Sequence, residues 1–143
     1  MSSFKVFDIA GSGMSAESVR LNTVASNLAN ADSVSGDPTQ VYQAKHPVFQ
    51  SVQALGAAAS QMAAQASASV RVMGIANNTA APESRYDPSN PLANSEGYVY
   101  SSNVNVVEEM TDMISASRSY QNNVEVMNTA RNMMLDTLKL GQS

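Results

Sequence analysis

All five prolines of this 143-residue chain, Pro38, Pro47, Pro82, Pro88 and Pro91, fall between residues 38 and 91. Proline lacks a backbone donor and its ring clashes with the preceding helical turn, so any long helix is confined to the two ends. Both ends carry apolar side chains at heptad spacing. From Phe4 to Asn30 one column runs Phe4, Gly11, Ser18 and Ala25, and the other Phe7, Met14, Leu21 and Leu28. From Val106 to Leu140 the columns are Met110, Ser117, Val124, Arg131 and Leu138, beside Met113, Tyr120, Met127 and Met134. At 1.5 Å per residue each seam is roughly 40 Å long, so the two are matched as partners.

The second helix is clearly punctuated. Asn105 is placed to cap it, Glu108 three residues on can reach back as in a capping box, and Glu109 and Asp112 complement the positive end of the helix dipole. Lys139 and Gly141 close it. The first helix is weaker: Gly11, Gly13, Asn22, Asn27 and Asn30 each cost up to about 1 kcal/mol relative to Ala, so it needs a partner to stand. Charged residues make up 14% of the chain, against roughly 25% in an average soluble protein. Small uncharged residues such as Ser12, Ser15, Ala16, Thr23, Ser26 and Ala29 leave the outer face of this helix fit to be covered.

The middle of the chain supports short extended runs at Val41 to Phe49, Val70 to Ile75 and Tyr98 to Ser101, parted by turn-rich segments such as Tyr86-Asp87-Pro88-Ser89-Asn90-Pro91. Residues 53–69 form an Ala, Ser and Gln low-complexity stretch without large apolar residues to dock it. The expected architecture is mainly α: long N- and C-terminal helices paired as a coiled coil, with a small antiparallel β element and loops inserted between them. Residues 1–32 and 105–143 form one helical domain, and 33–104 the insertion.

The chemistry available is limited. A net charge of −4 with eight scattered basic residues argues against nucleic acid, whose phosphates need clustered Lys and Arg. There is no cysteine and only one histidine, His46. That combination supplies neither a thiol nucleophile nor a zinc ligand set, so no metal site is expected. Gly11-Ser12-Gly13-Met14-Ser15-Ala16 matches G-x-G-x-x-A, with Asp32 about 20 residues on. The stretch from Leu21 to Asp32 supplies no second strand, so no cofactor site is expected. The acidic trio Glu108, Glu109 and Asp112 lies in the first turns of a helix, where such charges are favourable without catalysis. No catalytic residue is expected. The start Met1-Ser2-Ser3-Phe4-Lys5-Val6 lacks a secretory leader pattern, and no stretch is long and apolar enough to span a bilayer.

Ser26-Asn27-Leu28-Ala29-Asn30-Ala31-Asp32, closing the first helix, resembles the signature of the rod, hook and hook-associated proteins of the bacterial flagellum. Tyr86-Asp87-Pro88, Gly97-Tyr98-Val99, the run from Asn103 through Met110 to Tyr120, and Asn123 through Gly141 extend the resemblance to the proximal-rod members of that superfamily. The resemblance implies a structural subunit of the basal-body proximal rod, assembling helically through its terminal helices and transmitting motor torque for motility. It implies contacts with copies of itself, with the rod proteins FlgB, FlgF and FlgG, and with the adaptor FliE. Synthesis in the cytoplasm, passage through the flagellar type III export apparatus without signal cleavage, and a final place in the rod across the periplasm also follow from it. The residues expected at the assembly interface are Phe7, Met14, Leu21, Asn27, Leu28, Asn30, Met113, Tyr120, Val124, Met127, Met134 and Leu138. From the residues alone, a non-enzymatic helical adaptor or secretion-system component is the alternative.

Overall fold

A computed structural model describes residues 3–53 and 68–141 of the chain. Most of the low-complexity stretch expected at 53–69 therefore lies outside the described residues. The elements are α1 (Ser3–Ala29), β1 (Val34–Ser35), β2 (Lys45–Gln53), β3 (Ala68–Asn77), β4 (Glu83–Tyr86), β5 (Tyr98–Ser101) and α2 (Val106–Leu140). The proline-free ends are helical, and the proline-bearing middle is short strands and turns.

Helix α2 carries its own start and stop signals. Asn105 sits in an extended conformation, and its side chain accepts from the N–H groups of Val107 and Glu108. Glu108 and Glu109 occupy the first turn and Lys139 the last, the charge order that the helix dipole favours. Helix α1 has no acidic residue in its first turn and no basic residue in its last. It unwinds through tight turns, with Asn30 N–H donating to Asn27 O at 3.1 Å and Ser33 N–H to Asn30 O at 3.1 Å.

The two helices pack antiparallel. Gly13 lies against Asn123, Arg20 against Asp112, and Asn27 against Glu109, so rising numbers on α1 meet falling numbers on α2. Helix α1 also packs on β2 and β3, whereas α2 meets no element other than α1 among the described residues. The weakly written helix is thus the central one, supported on both sides.

Two antiparallel sheets fill the middle: three strands in the order β1-β5-β4, and the β2-β3 pair. The strand expected at Val41 to Phe49 starts four residues later, at Lys45. Val41 and Ala44 are buried in the segment that leads into it. Pro47 is tolerated inside β2 because each strand of a two-stranded sheet has a free edge. β1 and β4 escape the sequence pattern: one is two residues long, and the other, Glu83-Ser84-Arg85-Tyr86, is exposed throughout and has no apolar alternation. Gly97 turns the chain from the Asp87 to Asn94 loop into β5 at φ +81°, and an added Cβ there would lie 2.9 Å from the Tyr86 ring.

The buried apolar residues are small: Ala10, Ala16, Val24, Val41, Ala44, Val99, Ala116 and Ala130. Many of the large apolar side chains on α2 and on the β2-β3 pair stand exposed.

Candidate functional site

The helix contact is built from small and polar residues, which corrects the expected heptad register. On α2 the column turned inward is Glu109, Ala116, Asn123 and Ala130, spaced by seven; Glu109, Ala116 and Ala130 are buried and Asn123 lies against Gly13. This column sits one residue before the expected Met110, Ser117, Val124, Arg131 and Leu138. Met110 is 54% and Leu138 64% exposed, and Arg131 is exposed as well. On α1 the contact passes through Gly13, Arg20 and Asn27, again seven apart. Of the expected column Phe4, Gly11, Ser18 and Ala25, Ser18 and Ala25 lie on the open face.

The cause is steric. Helices close to about 8 Å only where small side chains meet, and an apolar count that favours Leu, Met and Phe selects the neighbouring columns instead. A Cβ at Gly13 would sit 2.8 Å from Asn123 Nδ2, so the Asn123 side chain occupies the space that this glycine leaves. The G-x-G-x-x-A stretch is therefore interior to α1, and its second glycine receives the partner helix rather than a nucleotide.

The large apolar residues flank this seam. Phe7, Met14, Leu21 and Leu28 on α1 are half-buried, as are Met113, Val124, Met127 and Met134 on α2, while Tyr120 is exposed. Farther round α2, Val107, Met110 and Ile114 form an exposed stripe. Toward the end of α2, Met133, Leu135 and Leu138 are exposed too. Asn30 is half-buried, and its amide donates to Ser26 O at 2.8 Å.

Asn27 is 0% exposed and has no surface left to offer a neighbour. Its Nδ2 donates to Lys45 O and to Glu109 Oε1, both at 2.8 Å. Its Oδ1 accepts from Tyr42 O–H and from Lys45 N–H, both at 2.9 Å. One side chain thus joins the last turn of α1, the segment entering β2, and the first turns of α2. A second asparagine reinforces the joint: Asn103 Oδ1 accepts from Ala44 N–H at 2.7 Å, and its Nδ2 donates to Asn78 O at 3.2 Å and Ala80 O at 2.9 Å. Glu108 remains exposed and sends no bond back to Asn105. Glu109, read from the sequence as a dipole complement, instead turns inward at 4% exposure.

Electrostatics at the joint follow from burial. Desolvation pushes the Glu109 carboxyl above its ordinary value, and the charges of Asp112 and Glu108 push the same way, against the Asn27 hydrogen bond and His46. Burial likewise raises the Tyr42 phenol, helped by the nearby Glu109. Asp112 is held by Arg20 at 3.2 Å across the two helices, a part-exposed pair.

Residues 7–36, covering most of α1 and reaching past β1, match the family described as "Flagella basal body rod protein". Residues 95–140, β5 and all of α2, match "Flagellar basal body rod FlgEFG protein C-terminal". The flagellar basal-body rod proteins FlgC of Salmonella typhimurium (strain LT2) and of Escherichia coli O6:H1 are each 51% identical over 99% of this chain and 100% of their own length. The chain belongs to the FlgC family of flagellar basal-body rod proteins. The FlgC of Buchnera aphidicola subsp. Schizaphis graminum is 42% identical over the same shares. Between them, the two family matches contain the seam, Asn27, Asn103 and Glu109.

No helix among the described residues is long and apolar enough to cross a membrane. Membership of the FlgC family makes the chain a structural subunit of the flagellar basal-body rod.

Proposed function

We propose that this rod subunit is a non-enzymatic building block of the proximal rod, whose helices α1 and α2 pair as a close antiparallel coiled coil and offer their large apolar flanks to neighbouring subunits. The observation that carries the reading is the division of labour between side-chain sizes. Small and polar residues close the pair, and Met110, Ile114, Leu138 and Val107 stand exposed. Two columns spaced by seven, one on each helix, fit a supercoiled pair. The flank residues Phe7, Met14, Leu21, Leu28, Met113, Tyr120, Val124, Met127, Met134 and Leu138 meet adjacent rod subunits, while Asn27 and Asn103 hold the joint inside the chain and Asn105 caps α2.

Residues 1–32 and 105–143 act as one helical domain, with 33–104 as an insertion carried on it. A non-closing, heterologous contact between such domains generates a helical tube that can bear torque. The neighbours are other copies of this chain, the rod proteins FlgB, FlgF and FlgG, and the adaptor FliE. The subunit reaches the rod through the flagellar type III export apparatus without loss of a signal segment, and the rod crosses the periplasm. Sedimentation and negative-stain imaging of the purified chain, alone and mixed with these partners, test the reading. Partner-dependent assemblies that disappear in Leu21→Glu and Met127→Glu variants are expected. A monodisperse chain indifferent to partners would contradict it and favour a helical adaptor that acts as a monomer.

A further inference from the structure

Glu109 is placed where a charge is poorly tolerated. It is 4% exposed. Its Oε1 has a single neutral donor, Asn27 Nδ2, and its Oε2 is buried with no partner at all. Among the described residues the cations are engaged elsewhere or remote: Arg20 pairs with Asp112 on the adjacent turn, and the Lys45 ammonium lies over the Tyr42 ring at 5.4 Å from its centroid. The titratable and charged groups around it are Glu108 and Asp112 on α2, Arg20 on α1, Tyr42 on the segment running into β2, and Lys45 and His46 at the start of β2. Two of these add like charge, and His46, exposed in β2, opposes them.

An ionised carboxylate here has two routes to relief, taking up a proton or reaching water. The second is open, because Glu109 lies in the first turn of α2, whose preceding residues Val106 and Val107 are exposed and follow directly on the Asn105 cap. We propose that Glu109 is a proton-linked latch: protonated, it keeps the first turns of α2 closed on Asn27 and the Tyr42 to Lys45 segment, and ionised, it loosens that joint while the rest of the seam stays packed.

The sign follows from linkage. A buried acid raised above its ordinary value binds its proton more tightly closed than open, so closure is strongest below the ordinary glutamate value of 4.5 and weakens as pH rises toward the folded-state value. Above that value the loss is complete and constant.

The test is amide hydrogen exchange of residues 106–113 in the full chain between pH 4.5 and 8, expressed as opening constants after correction for the intrinsic rate. In the wild type the opening constant is expected to rise about tenfold per pH unit within the window and then level off. Residues 120–130 should show no such slope. Glu109→Gln should be flat with pH, while Glu108→Gln and His46→Gln keep the wild-type slope. A pH-independent wild type, a slope surviving in Glu109→Gln, or one abolished in His46→Gln would overturn the proposal. Should Glu109→Gln fail to fold, carboxyl-carbon NMR of the wild type decides: a Glu109 midpoint above 4.5 supports the latch, and one at or below 4.5 refutes it.

Discussion

Replacing Asn27 by Ala removes one buried side chain and four hydrogen bonds together. Lys45 is exposed and Tyr42 half-buried, so water can replace part of what they lose, leaving about 0.5–1 kcal/mol for each of those three bonds. Glu109 loses its only donor while staying buried, a penalty of about 1–3 kcal/mol. The expected total is about 2.5–6 kcal/mol, or about 10–20 °C in Tm for a chain of this length. Urea titration followed by circular dichroism, with thermal melts beside it, reads the loss. Asn30→Ala is the matched control, three residues on in the same Ser26 to Asp32 motif but half-buried, its amide bonded only to Ser26 O in a solvent-accessible bond, with an expected cost below about 1 kcal/mol. If Asn27→Ala costs no more than Asn30→Ala, the joint does not hold the helix pair and the reasoning fails. A cycle with Glu109→Gln should show coupling of about 1 kcal/mol or more, because the two side chains share a bond.

Ala116→Leu inserts a large side chain at a fully buried seam position and is expected to lower stability by about 1–3 kcal/mol in the same titration, whereas Met110→Ala on the open stripe should change it by less than about 0.5 kcal/mol. Gly97→Ala combines a left-handed backbone with a contact on Tyr86, so a loss of about 1–2 kcal/mol is expected, with the near-ultraviolet signal of the Tyr86–Tyr98 edge-on pair disturbed. Arg20→Ala breaks a part-exposed interhelical ion pair and should cost less than about 1 kcal/mol, with most of that removed by salt.

The ends of the chain were legible because their signals are local. Proline placement confined the helices, and Asn105 marked the start of α2, so the boundaries match to within a residue. The flagellar resemblance was legible for the same reason, since Ser26 to Asp32 and Asn103 to Tyr120 are contiguous motifs.

The seam itself was hidden, because heptad reading weights large apolar residues. The contact here is written in Gly13, Ala116, Asn123 and Ala130, which score as surface. On α2 only Ala116 and Ala130, fourteen residues apart, carry the small-residue signal, with Glu109 and Asn123 completing the column. The joint was hidden for a different reason. Asn27 and Glu109 are 82 residues apart, and nothing local distinguishes a glutamate that complements a helix dipole from one folded inward onto an asparagine. β1 and β4 were missed because strands that short and polar take their structure from β5 rather than from their own pattern.

If small and polar residues close the helix pair while large ones face other subunits, site-specific photocrosslinking in isolated basal bodies separates the two sets. A crosslinking amino acid is placed in turn at Met110 and Leu138, which face out, and at Ala116 and Asn123, which face in. Crosslinks to other rod chains are expected from Met110 and Leu138, and only intrachain products from Ala116 and Asn123. Interchain products from the inward pair, with none from the outward pair, would contradict it.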